Sequence, residues 1–119
     1  MSEIIPKFGD IYFAKLIPNG AVQGGSRPVL ISQNDIGNKH SPSVEIIPLT
    51  SKIKASHMPT HTLIKASDLN GLNTDSVVLS EQTQTINKTQ LWKRLGRLTL
   101  QELAEVGRAR RIQSPFPVI

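Results

Sequence analysis

Apolar residues in this chain fall in short runs of four to nine, divided by clusters of Gly, Pro, Asn and Ser, and that rhythm predicts strands. The segment "GDIYFAKLI" (9–17) mixes β-branched, aromatic and aliphatic residues and stops at Pro18, so it reads as a first strand. "RPVLISQ" (27–33) is a second, with Pro28 at its start, where a missing N–H costs least. "VEIIPLT" (44–50) is a third; Pro48 cannot donate to a ladder and implies an edge or a bulge there. "TLIKA" (62–66) is short, "SVVLSEQ" (76–82) reads as a core strand, and "QTIN" (84–87) continues extended structure. "KTQLWKRLGRL" (88–98) reads as one turn of helix followed by a strand around Trp92 to Leu98. The stretches between them, "NGAVQGGS", "GNKHSPS", "SKIKASHMPTH" and "SDLNGLNTD", read as loops and turns.

The period changes near the end. In "TLQELAEVGRARRI" (99–112) Leu100, Leu103 and Val106 are expected to share one helical face. Thr99 followed by Glu102 has the spacing of a capping box, and Arg108, Arg110 and Arg111 suit the negative end of the helix dipole. Five or more short strands and one terminal helix make the chain mainly β: a small, partly closed barrel with short helices.

At 119 residues the chain is expected to form one domain, 1–119, with a single modest core. It has no cysteine, hence no disulfide framework and no thiolate zinc site. No apolar run approaches the ~18 residues of a membrane span, and "MSEIIPKFGD" lacks the apolar segment of a signal peptide. A cytoplasmic protein without membrane contact is the expectation. The net charge is +5, and residues 88–119 carry all of the excess, with seven bases against two acids. A basic face of this kind attracts polyanions, and it is also an ordinary solvated helix surface.

The candidate chemistry starts in "QGGSRPV" (23–29). Gly24 and Gly25 let backbone N–H groups approach a ligand, and Arg27 presents a permanently charged planar fork matched to phosphate. A tight turn beside an exposed arginine accounts for the same residues. Thr50 and Ser51, at the end of the third strand, offer hydroxyls to a phosphate or ribose, or simply cap the following loop. Glu81 and Gln82 sit where an apolar strand leaves the core. His57 and His61 have helical spacing, but Pro59 lies between them and no Glu adjoins, so no metal is expected. The aromatics are few: Phe8, Tyr12, Phe13, Trp92 and Phe116.

Taken together, "GDIYFAKL", "QGGSRPVLISQNDIGNKHSPSVEIIPLTS", "PTHT" and "DSVVLSEQTQTINKTQLWKRLGRL" resemble the MazF/PemK family of toxin endoribonucleases, in order over roughly residues 8–110. The resemblance implies a CcdB-like, SH3-like twisted antiparallel barrel with a C-terminal helix, usually a homodimer. It implies cofactor-free, metal-independent cleavage of single-stranded RNA and inhibition by a cognate antitoxin. By motif position, Arg27 and Thr50 match the family's catalytic pair, and Gln23, Gly25 and Gln82 match positions near the substrate groove. Gly24, Ser51 and His61 complete the expected RNA-contacting set, with His61 a candidate for the proton acceptor. Where several family members carry an acidic residue just before this block, the chain has Val22, so a role for that carboxylate does not transfer. Two other readings share the fold: a CcdB-like topoisomerase poison, and a non-catalytic nucleic-acid-binding regulator using its basic helix.

Overall fold

The structure is a computed structural model that describes residues 4–17, 24–52 and 58–118. Seven strands follow in order: β1 (Asp10–Leu16), β2 (Gly25–Ile31), β3 (Ser43–Thr50), β4 (His61–Ile64), β5 (Ser76–Leu79), β6 (Gln84–Asn87) and β7 (Leu91–Arg97). Two α-helices, α1 (Asp35–His40) and α2 (Leu100–Gln113), and 3-10 turns at Ser80–Gln82 and Lys88–Gln90 complete the described chain. Every strand pair is antiparallel, in the order β4-β5-β3-β2-β1-β7, and β6 joins β3 off that path. The expected mainly β, barrel-like fold with a terminal helix is what forms.

β3 is the hub of the sheet. Its first half pairs β6 from Ser43 to Ile46, and its end pairs β5 at Leu49 and Thr50. Pro48 lies between the two partners, opposite Val29 of β2. It therefore marks neither an edge strand nor a bulge. Pro48 falls where β3 changes neighbour, a break in the ladder that tolerates a missing donor.

Alternation along the strands sorts the apolar side chains into two cores. Ile11, Leu30, Ile47 and Leu49 point to one side with Val78, Leu72 and Val106 of α2. Tyr12, Ala14, Val29, Ile31, Val44 and Ile46 point to the other, with Ile86 and Leu91. Burial on both faces is why these strands read as continuous apolar runs rather than as alternating ones.

Helix α2 has the predicted capping box: the Glu102 amide donates to Thr99 Oγ1 at 3.1 Å, and the Thr99 amide donates to Glu102 Oε1 at 2.8 Å. Its buried positions are Val106 and Ala109, with Leu103 partly buried. Leu100 is 87% exposed, so the expected Leu100–Leu103–Val106 face begins one turn later than the pattern suggested. At 100° per residue Leu100 sits about 120° from Val106, too far round to reach the sheet. Helix α1 replaces the turn expected in 37–43. Asn34 caps it by accepting from the Gly37 amide at 2.9 Å, and Asp35 Oδ1 accepts from the Phe8 amide at 2.7 Å.

Candidate active site

The β1–β7 pairing is irregular, and the irregularity shapes a cavity. Ile11 faces Gly96 and Tyr12 faces Arg94; Phe13 faces Lys93 and Ala14 faces Leu91. Two residues of β7, Leu95 and Trp92, are left without an opposite number on β1. Bulges of this kind turn a side chain out of the regular alternation. Both extra residues line a cavity of about 580 Å³, together with Phe13, Arg27, Pro28, Thr50, Ser51, Lys52, Lys93 and the 71–74 loop.

That loop is pinned by Asn70, which is buried. Its Oδ1 accepts from the Ser67 amide at 3.1 Å and the Leu72 amide at 3.0 Å, while its Nδ2 donates to the Lys65 carbonyl at 2.9 Å. Gly71 and Gly96 then allow the loop and β7 to touch backbone to backbone. A Cβ on Gly96 would lie 2.1 Å from the Leu69 oxygen, and one on Gly71 would lie 2.1 Å from the Leu95 oxygen.

Arg27 lines the same cavity from near the start of β2. Its Nε donates to the Gly24 carbonyl at 3.0 Å and Nη1 to the Leu49 carbonyl at 3.4 Å. Partial burial lowers its pKa from the ordinary value, yet a guanidinium stays charged at any working pH. Gly25 has φ +76, which accounts for glycine at the turn, and open space surrounds the position a Cβ would take. Thr50 is 7% exposed, and its Oγ1 accepts from the Lys52 amide at 3.2 Å. Among the described residues the cavity's ionisable groups are Arg27, Lys52 and Lys93, with no carboxylate or imidazole in its lining. Such a wall suits a phosphate or another anion.

The structure thus brings Arg27, Thr50 and Ser51 together, with Gly24 and Gly25 forming the turn that orients the guanidinium. Gln23, like Val22 and His57, lies outside the described residues. Gln82 ends the 3-10 turn after β5 and does not line the cavity. His61 is elsewhere as well. Its side chain is 3% exposed, and Nε2 lies 2.9 Å from Glu81 Oε2. Thr60 Oγ1 donates to the other Glu81 oxygen at 3.0 Å. His61 instead lines a second depression with Leu63, Glu105, Arg108 and Ile112, on the α2 side of β4. His61, the candidate proton acceptor, therefore does not line the Arg27 cavity: Glu81 anchors the ring beside β4 and α2. Glu81 itself loses by partial burial, which raises its pKa, but hydrogen bonds from His61, its own backbone and Thr60 outweigh this and hold it below the ordinary value.

Sequence reasoning missed the aromatic part of the cavity. Phe13 and Trp92 lie with ring centroids 5.1 Å apart, edge to face at 71°. The scarcity of aromatics hid the fact that two of the five converge here. Trp92 between Leu91 and Lys93 was the signal, since a tryptophan beside a lysine on a terminal strand is poorly explained by a core.

Residues 7–113 match the family model described as PemK-like, MazF-like toxin of type II toxin-antitoxin system. The chain is 44% identical over 102 residues to the endoribonuclease MazF of Staphylococcus saprophyticus, covering 85% of this chain and 84% of that protein. It is 43% identical over 110 residues to the endoribonuclease EndoA of Bacillus subtilis, covering 92% and 94%. Among solved structures, the Mycobacterium tuberculosis toxin MazF-mt6 is 27% identical with a TM-score of 0.77, covering 92% of this chain and 99% of that one. A mycobacterial endoribonuclease in complex with its cognate antitoxin is 25% identical with a TM-score of 0.76, covering 96% and 99%. With sequence and fold in agreement over nearly the whole length, the chain belongs to the PemK-like, MazF-like family of toxins of type II toxin-antitoxin systems.

Proposed function

We propose that this protein is a toxin endoribonuclease, a single domain over 1–119, that cleaves single-stranded RNA in the Arg27–Thr50 cavity. The observation that carries the reading is the convergence of a partly buried arginine fork, a threonine hydroxyl and two lysines on one concave surface. The ribose 2′-OH attacks the adjacent phosphorus, the bond to the 5′ oxygen breaks, and the products carry a 2′,3′-cyclic phosphate and a 5′-OH. Charge accumulates on the phosphorane oxygens, where Arg27 supplies fixed donors in a setting drier than bulk water. Thr50 orients the phosphate or the 2′-OH through its hydroxyl. The attacking hydroxyl passes its proton to a non-bridging phosphate oxygen or to water, and the leaving oxygen takes one back. Among the described lining residues there is no carboxylate or imidazole to act as a base, and the substrate itself supplies that function.

Among the described lining residues, three cations and no carboxylate make a wall that repels a divalent metal, and the cavity's own charges do the electrostatic work. Cleavage is therefore expected to persist in excess EDTA and to leave 5′-OH ends, read by mapping the 5′ termini of messenger RNA cut in vitro. A requirement for added magnesium, or 5′-phosphate products, overturns the mechanism. An absence of any cleavage favours the topoisomerase-poison or silent-regulator reading.

The solved complex of a relative with its antitoxin supports a protein partner for this chain as well, and the basic surface suits an acidic one. A homodimer acting in the cytoplasm completes the proposal. Among the described residues no helix is long and apolar enough to cross a membrane.

A further inference from the structure

The aromatic pair in the cavity has no place in the phosphate chemistry. Trp92 is 61% exposed, an unusual cost for the largest apolar side chain in the protein. The bulge that frees it from the β1 ladder turns it into the cavity, and Phe13 packs against it at 5.1 Å to fix its orientation. Its position relative to the phosphate clamp is set by the sheet. Arg27 and Leu91 flank Ala14 on its two sides, and Trp92 follows Leu91. Two strand spacings separate the Arg27 and Trp92 backbones, about 10 Å. An extended single strand covers that distance from a phosphate to the base of a neighbouring nucleotide.

We infer that Trp92, braced by Phe13, is the stacking platform for a base next to the cleaved phosphate, and that it sets substrate affinity rather than the chemical step. The inference rests on the RNA-cleaving reading of the same cavity. Unpaired bases present a π-face that stacks on indole whatever their identity, and single-stranded RNA is held this way. The surroundings suit a nucleic acid: Lys93 adjoins Trp92 and is exposed, beside an Arg94 that pairs with Asp10 at 3.2 Å.

Trp92 is the single tryptophan of the chain, so its fluorescence reports on this position alone. The wild-type protein is titrated with a 2′-O-methyl oligonucleotide spanning a mapped cut, and then with versions carrying one abasic residue at each position beside it. Saturable quenching that disappears with one abasic residue is expected. In steady-state cleavage, Trp92→Ala and Trp92→Leu should raise KM by about 5- to 150-fold with kcat little changed. Trp92→Phe keeps a π-face and should recover most of the loss, which a structural defect would not allow. An unchanged KM in Trp92→Ala overturns the inference. So does a loss of self-association in sedimentation with RNA quenching absent, which would make Trp92 an interface between two copies. Should Arg27→Ala cleave RNA normally, the reading of the cavity itself fails; a dead Arg27→Ala with a normal Trp92→Ala removes the stacking platform only.

Discussion

Arg27 Nη1 donates to the Leu49 carbonyl at 3.4 Å, one residue before Thr50. Backbone pairing between β2 and β3 runs from Ile31–Ile46 to Val29–Pro48 and goes no further. Past that point the arginine side chain supplies the link between the strands, at the mouth of the cavity. The residue that ties the opening together is thus also the one proposed to meet an incoming phosphate.

Arg27→Ala is therefore expected to lower the cleavage rate by ~10²-fold or more if the guanidinium stabilises transition-state charge. Arg27→Lys restores the charge without the planar fork and should recover only part of the rate. Thr50→Val should slow cleavage less than Arg27→Ala does. All three are expected to keep the wild-type circular dichroism spectrum, since the cores lie deeper in the strands. Near-normal rates for Arg27→Ala would return it to an ordinary surface charge.

The Glu81–His61 pair makes a separate prediction, about stability. A carboxyl held below its ordinary value of 4.5 adds stability above that pH and loses it as pH falls through the folded value. Glu81→Gln should cost about 1 kcal/mol at pH 7, the scale of a partly exposed charged hydrogen bond. The difference from wild type should shrink as pH drops below about 4. Urea melts between pH 3 and pH 7 measure this, and a gap independent of pH would show that the carboxylate charge is irrelevant to the fold.

Gly96 and Gly107 should respond to the same substitution with opposite signs. A Cβ at Gly96 meets the Leu69 oxygen at 2.1 Å and the Asn70 carbonyl carbon at 2.5 Å, both backbone atoms that cannot swing aside. Gly96→Ala should destabilise by more than about 2 kcal/mol, and by displacing the 71–74 wall it should raise KM for RNA. Gly107 lies in α2 with only Arg111 Nη1 nearby, at 3.8 Å. Gly107→Ala should stabilise by roughly 0.5–1 kcal/mol. Thermal melts of the two variants decide it, and equal melting temperatures would refute the close packing of loop on strand.

What the sequence made legible follows from what each signal measures. Apolar runs report burial, so β1, β2, β3 and β5 were visible with ends near the observed ones, and the Thr99–Glu102 spacing located α2. Helix α1 was obscured because Gly37 and Asn38 read as turn residues, while its stabilisation comes from Asn34 and from an Asp35 bond reaching back to Phe8. Pro48 was misread because propensity knows nothing of a strand that changes partners. The site followed the same division. Arg27, Thr50 and Ser51 converge in the cavity, but the Trp92 bulge is a property of β1–β7 registration, and His61 was withdrawn by a carboxylate twenty residues away.

The last prediction concerns the protein partner. An acidic, partly disordered peptide is expected to inhibit by occupying the RNA-binding cavity, because a surface that holds phosphates also holds carboxylates and a flexible chain can wrap it. The strand suited to receive it is β7, at one end of the sheet, rather than the internal β3 that Pro48 had suggested. An end strand offers backbone groups to an added one. Toward Arg97 this edge is covered, because the Arg97 amide donates to the Leu69 carbonyl at 3.0 Å, so the added segment is expected along the Leu91–Lys93 end, with exposed Lys93 and with Trp92 at the cavity rim. Competition should then be mutual: RNA weakens peptide binding, and both affinities fall as salt rises. Lys93→Glu should weaken both ligands, since it reverses a charge that each is proposed to use. The measurement is fluorescence anisotropy of a labelled, 2′-O-methyl RNA titrated with the product of the adjacent small open reading frame. Simultaneous binding without mutual weakening would rule out occupation of the cavity and assign inhibition to a conformational effect at a distance.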